Sequence, residues 1–272
     1  MKGKISIPRI FIYLFLIVAS FLSIFPFFWM TTGMTNSAVD IVRGKMTFGT
    51  MFFENIRILF SEYDMALVLF NSIKVTGLTV VLCLLICSMA AYGFVMYKSK
   101  ITQRLYALTM LTMMIPFAAL MIPLFQIIVQ FKLLNSHFAL IITGASSVFI
   151  IFFFRQSFVT YPFEIIQAAR VDGAGEFRIF FKIFAPSMKS TFFAAAIYAF
   201  MTSWNSYMWP LIVLQTNDKR TTTLLISYLS SAYVPQYGVI MTAIVISTLP
   251  IIIIFFAFQK QFVQGMLGSL KA

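Results

Sequence analysis

Tyr161-Pro-Phe-Glu-Ile-Ile-Gln-Ala-Ala-Arg-Val-Asp-Gly-Ala-Gly-Glu-Phe-Arg-Ile-Phe-Phe-Lys-Ile-Phe-Ala-Pro186 is the stretch on which the reading of this chain turns. Pro162 suits the first turn of a helix, and Glu164 suits the positive end of its dipole. Phe163, Ile166 and Ala169 recur at helical spacing. Asp172-Gly173-Ala174-Gly175 then breaks the helix with a turn. Phe177, Ile179, Phe180, Phe181, Ile183 and Phe184 supply a second apolar helix, expected to end before Pro186. The pattern predicts a helix–turn–helix lying against one face of a membrane. Small Ala168, Ala169 and Gly173 leave room for another backbone to come close.

The flanking sequence supplies the membrane. Of 272 residues 61% are hydrophobic and 10% charged, against roughly 45–50% and about 25% in a soluble domain. A soluble globule could not hide that surface, and 33 phenylalanines press the same way. Low charge, 12 Gly and 2 Cys exclude disorder, collagen and a disulfide scaffold. Six stretches approach the ~20 apolar residues that a span requires: residues 10–30, 72–97, 105–129, 138–154, 190–214 and 237–258. The first exceeds a signal-peptide core and lacks a small-residue cleavage site, so it reads as a retained span. With the N-terminus inside, the inner segments hold Lys2, Lys4, Arg9, Lys98, Lys100, Arg104, Arg155, Arg170, Arg178, Lys182, Lys189, Lys260 and Lys271, thirteen of the 20 basic residues. The outer seven are offset by Asp40, Glu54, Glu62, Asp64 and Asp218, so the positive-inside rule places both termini in the cytoplasm. The outer loop at 31–71 is long and polar, with Phe52, Phe53, Ile56, Leu59 and Phe60 marking a short amphipathic helix. The outer loop at 215–236 is rich in Thr, Ser and Tyr.

Catalytic and coupling chemistry is hard to find. The net charge of +12 would suggest nucleic acid in a soluble chain, but these cations lie mainly between apolar runs. No phosphate-cradling GxxxxGK[ST] occurs, because Thr50 follows Gly44 and Gly49 where Lys is required. His137 is the only histidine and reads as an interfacial loop residue. Cys83 and Cys87, four apart in an apolar run, read as packing groups. All eight acids fall in loops or at span ends, which argues against a proton-coupled carrier.

The segment at 161–186 resembles the EAA coupling loop of bacterial ABC importer permeases: E-A-A, three residues, Gly, nine residues, then I-x-L-P. Gln167-Ala168-Ala169, Gly173 and Ile183-Phe184-Ala185-Pro186 fit in register. The run Ala-Ala-Arg-Val-Asp-Gly-Ala is similar to the carbohydrate, MalG-like, six-span branch. Further agreement comes from the Asn-Ser opening of span two, Ala90-Ala91-Tyr92-Gly93-Phe94, Ile115-Pro116 with Ile122-Pro123-Leu124, Trp204-Asn205 with Trp209-Pro210-Leu211, and Phe262-Val263 with Gly265. Gln167 stands where the family has Glu, and Ala185 where it has Leu. In relatives that Glu can meet a basic residue of the ATPase; Gln167 can still hydrogen-bond there, but the salt bridge is lost.

The resemblance implies an all-α integral membrane protein of six transmembrane helices in the type I ABC importer permease fold, one permease domain over residues 1–272 with its coupling loop at about 160–189. It implies that Glu164, Gln167, Ala168, Ala169, Asp172, Gly173, Ile183 and Pro186 seat against an ATPase subunit. The implied partners are a second permease subunit, two ABC ATPases that hold ATP and Mg, and an external solute-binding protein. The chain itself holds no cofactor and catalyses nothing; its place is the bacterial cytoplasmic membrane.

Sugars are bound by aromatic faces and by amides and hydroxyls. Tyr198, Trp204, Asn205, Tyr207 and Trp209 are the candidates for a substrate path. Trp209 suits a membrane interface equally well, and Asn205 faces either a partner helix or a cavity. Ala195, Ala199 and Ser203 form a stripe for helix packing. Tyr228, Tyr233 and Tyr237 are candidates for contact with the binding protein, a role carried over from the family. The expected cargo is a carbohydrate, most simply an oligosaccharide; a polyol, glycerol phosphate or modified sugar is the alternative within the same machine. A membrane enzyme acting on lipid or glycan would need clustered acids, histidines or metal ligands, and a self-contained carrier its own coupling site.

Overall fold

A computed structural model describes the backbone of residues 7–268 and the side chains of residues 11–260. Lys2, Lys4, Arg9, Lys271 and the Phe262-Val263/Gly265 resemblance lie outside the described residues or side chains. The fold is helical, and the chain gathers into two compact units, residues 1–66 with 225–249 and residues 67–224 with 250–272.

The first unit starts with α1 (Ile7–Gly33), whose apolar window from Phe11 has no buried side chain. An all-round apolar helix of this kind demands a hydrocarbon surrounding or another chain. The expected polar loop at 31–71 is built rather than open. Ser37 caps α2 (Ala38–Val42) by accepting from Asp40 N, and its hydroxyl holds the Asp40 carboxyl below the usual range. The amphipathic helix read from the sequence is α3 (Phe52–Glu62), with Asn55 and Leu59 turned inward and Phe53 outward. Two buried asparagines fix this region. Asn36 Nδ2 donates to the carbonyls of Thr32 (2.9 Å) and Thr47 (2.8 Å). Asn55 Nδ2 donates to those of Met34 (2.9 Å) and Asn36 (3.1 Å). Near the start of α15 (Tyr237–Gly268), Gly238 leaves no room for a Cβ, which would stand 2.5 Å from Asn36 O.

In the second unit α4 (Met65–Met96) starts earlier than the expected 72, because Met65 to Phe70 extend the apolar run. The fourth span is His137–Phe158, made of α7 (His137–Gly144) and α8 (Val148–Phe158). His137 is the first residue of α7, buried, with Nε2 2.8 Å from the Lys219 carbonyl; it is not a loop residue.

Besides the fourth span, two further expected spans are not continuous helices. The third divides into α5 (Lys100–Thr112) and α6 (Phe117–Gln130), bent by 102°. Pro116 explains the break: it disfavours helical backbone at Ile115 and caps α6 from an extended conformation (ψ 137°). The fifth stops where α12 (Lys189–Trp204) meets residues 205–207, and resumes as the short α13 (Met208–Val213).

The segment at 161–187 also corrects one expectation. α9 (Phe163–Val171) follows Pro162 at its cap, and α10 (Glu176–Ile179) continues through a π-helical turn, Phe180–Phe184, into α11 (Ala185–Ser187). The second helix therefore passes through Pro186. A proline in a regular helix strands the carbonyl four residues back; here Ala185 N bonds to Phe180 O, five back, so the register has already shifted. Cys83 and Cys87 are free and buried, as packing groups should be, with sulfurs 3.7 Å apart.

Asn55→Ala should destabilise the protein by about 2–3 kcal/mol, since it strands two buried carbonyls. Thermal unfolding in detergent, with proteolysis across residues 44–51, measures this. Wild-type stability and protection would show that Asn55 does not fix the region.

Candidate functional site

Two features of the second unit bear on function. The first is the 161–187 segment. Ile166 and Ala169 turn inward from α9 and join Ile179, Phe180 and Phe184 in a core with Tyr92, Phe154 and Phe158. Phe184 is the hub: its ring lies 4.6 Å from Phe158, 4.8 Å from Tyr161 and 5.0 Å from Tyr92. The helix then ends with two bonds, Gly173 N to Arg170 O and Ala174 N to Ala169 O, both 3.0 Å. That Schellman geometry puts its glycine in the left-handed region (φ +79°), where other residues are strained. Among the described residues nothing lies within 4 Å of a Cβ at Gly173, so its backbone angle, rather than close approach, requires glycine here.

A polar staple closes the turn. Arg170 Nε donates to Glu176 Oε1 at 2.7 Å, and the Tyr92 hydroxyl donates to Glu176 Oε2 at 3.1 Å. Lys98 Nζ sits 5.2 Å from the Phe163 ring centre and steadies the start of α9. The motif residues therefore divide. Ala169 is buried, and Ile183 is half-buried against the core. Glu164, Gln167, Ala168, Asp172, Gly173 and Pro186 are exposed, beside Val171 (88% exposed) and Phe177 (71%). The segment is locked on the phenylalanine core, and its outer surface mixes polar side chains with the exposed apolar Val171 and Phe177. Sequence reading missed the staple, because Tyr92 and Glu176 are 84 positions apart.

The second feature is a cavity of about 290 Å³ bounded by α4, α7, α12 and α13 and by Phe117. Tyr198, Trp204 and Trp209 all line it, so three of the five substrate-path candidates come together. Trp209 is buried, which removes the interfacial reading, and its Nε1 donates to Thr143 Oγ1 at 2.9 Å. Asn205 and Tyr207 are not in the lining. Asn205 is the exposed residue that ends α12, at the break rather than within the helix, while its neighbours Trp204 and Ser206 face the cavity. Ala195 and Ala199 are buried as a packing stripe requires, and Ser203 opens onto the cavity. The wall also includes Ser72, Thr76, Thr79, Thr202 and Thr221, hydroxyls that sequence reading passed over because each is unremarkable alone. Segment 215–222 is tied down beside it: Asn71 Nδ2 donates to the carbonyls of Asp218 and Arg220, and Ser72 Oγ accepts from Thr222 N at 2.8 Å.

Tyr228, Tyr233 and Tyr237 belong to the first unit and are exposed, Tyr233 fully.

Comparison with known proteins agrees with this architecture. The family described as "Binding-protein-dependent transport system inner membrane component" matches residues 83–268. The lactose transport system permease protein LacG of Rhizobium radiobacter is 51% identical over 265 residues, covering 97% of each chain. The arabinooligosaccharides transport system permease protein AraQ of Bacillus subtilis (strain 168) is 35% identical, covering 98% of each. A crystal structure of a bacterial ABC transporter involved in import of the acidic polysaccharide alginate shares the fold, with a TM-score of 0.83 at 21% identity, over 96% of this chain and 99% of that one. The chain therefore belongs to the inner membrane components of binding-protein-dependent transport systems, as a multi-pass transport permease subunit and not an enzyme.

Proposed function

We propose that this permease serves an ATP-driven importer of an uncharged carbohydrate, an oligosaccharide, and that the 161–187 platform receives the ATPase. The platform carries the proposal: two short helices locked on a phenylalanine core, stapled through Arg170 and Glu176 to Tyr92 of α4, with Val171 and Phe177 exposed. A push on the exposed surface passes through packed side chains into α4 and α8, because a dense core moves as a body. Both termini and the platform lie on the cytoplasmic side in this reading. A similar permease forms the other half of the path, and a binding protein delivers cargo from outside, with Tyr228, Tyr233 and Tyr237 as its contacts. Gln167 leaves the docking to shape and neutral hydrogen bonds, where a Glu would add charge. The names of the relatives, lactose and arabino-oligosaccharide permeases, support the cargo class.

Affinity purification of the chain from its native membranes in mild detergent should retain a P-loop ATPase and a second multi-span subunit. Phe177→Asp should lose the ATPase while keeping the second permease. Recovery of the wild-type chain alone across several mild detergents would overturn the proposal.

Gly173→Val forces about 1–2 kcal/mol of left-handed strain on the turn. It should cut uptake more than tenfold at an unchanged membrane level, whereas Gly173→Asn, tolerant of that conformation, should retain most uptake. Normal uptake by the valine variant would sink the coupling role.

A further inference from the structure

We infer that this subunit itself carries a cargo subsite: the cavity among α4, α7, α12 and α13 takes one uncharged sugar ring at a time and turns away charged cargo. The inference rests on the carbohydrate reading above and goes further, locating a binding determinant in this chain and giving it a size and a charge rule.

The charge rule comes from the wall. Among the described residues no Lys, Arg, Asp or Glu lines the cavity, so a phosphate or carboxylate entering it would lose water without gaining a counter-charge. The size comes from the volume, about 290 Å³. That is at the bottom of the roughly 300–1,000 Å³ that small-molecule pockets span, so the hollow seats one ring while the rest of a longer chain lies outside it.

The ring preference comes from how the indole is held. Trp209 spends its only N–H on Thr143 Oγ1, and its ring meets Phe117 edge-on at 6.2 Å and 86°. An indole with its donor satisfied inside the protein presents only π surface, the part that packs on the C–H face of a sugar. Thr143 is itself committed, donating to the Ala139 carbonyl at 2.8 Å while accepting from Trp209. Thr79 is not. It lines the same cavity, is 6% exposed, and its buried Oγ1 has no hydrogen-bond partner among the described residues. Buried hydroxyls without partners are rare and call for an explanation. A neutral polyhydroxylated ring answers both halves of the wall, an aromatic face and an unspent hydroxyl.

The test uses the whole importer, with its partner subunits and binding protein, in proteoliposomes supplied with lactose, arabinobiose or sn-glycerol 3-phosphate. Uptake of a neutral disaccharide with a KM raised at least fivefold by Thr143→Val and by Trp209→Leu, and brought back within twofold of wild type by Thr143→Ser and by Trp209→Phe, is the expected result. Thr79→Val should raise KM more than it lowers kcat. Should Trp209→Leu fail to assemble, the near-isosteric Thr143→Val carries the comparison. Neutral uptake with KM unchanged in all these variants would overturn the subsite while leaving the carbohydrate importer standing. Uptake of sn-glycerol 3-phosphate alone would overturn both.

Discussion

Every backbone amide placed in hydrocarbon needs a partner within its own chain, and this protein interrupts its apolar helices regardless. The breaks at residues 113–116, 145–147 and 205–207 are each satisfied locally. Met114 N returns to Leu111 O; Ser147 caps α8 while its own N–H donates to Cys87 Sγ at 3.3 Å; and Ser206 O accepts the Thr223 hydroxyl at 2.7 Å. Non-helical backbone at membrane depth is tolerated where it faces protein or a cavity. All three breaks border the same one: Phe117, Gly144, Ser147, Trp204 and Ser206 lie in its wall. The cavity is therefore the space that the broken helices leave, and the hydroxyls around it serve both backbone and hollow.

The packing of the 161–187 segment follows a different logic. Its stiffness comes from aromatic edges, with Tyr92 meeting Phe180 at 5.2 Å and Phe184 meeting Phe158 at 4.6 Å. The half-exposed Arg170–Glu176 pair adds little stability by itself, as surface ion pairs do. Its contribution is geometric: one carboxylate joins α9, α10 and α4. The π turn lets the same helix carry both the phenylalanine cluster and Pro186 without a stranded carbonyl at the core.

Much of this was legible in the sequence, where a signal is local and periodic. Apolar length gave the spans, the apolar positions from Phe52 to Phe60 gave α3, and the spacing of Phe163, Ile166 and Ala169 with the apolar run from Phe177 to Phe184 gave both helices of the platform. The misses share a cause, since each depends on a partner far along the chain or on a break inside an apolar run. Asn205, expected to face a partner helix or a cavity, stands exposed at the end of α12 and outside the cavity wall, a position that the break in the helix sets. His137 read as a loop residue because Ser136 precedes it, and only the Lys219 carbonyl, 82 positions away, accounts for its burial. The bend at Pro116 was signalled by the proline, but hydropathy averages across it and reports a single span.

The bare flank of α1 has a consequence for the order of synthesis. None of the side chains in its apolar window is buried by the remainder of the chain. Along that window the stabilisation comes from lipid or another chain, whereas its C-terminal end is buried at Thr32 and Gly33, with Gly33 close against Met241 of the last helix. α4 and the α7–α8 span, with 39% and 44% of their windows buried, gain part of their stability only from the rest of the chain. The first apolar segment therefore depends on the rest of the chain mainly at its end, while the later spans complete their packing only once their neighbours have been made.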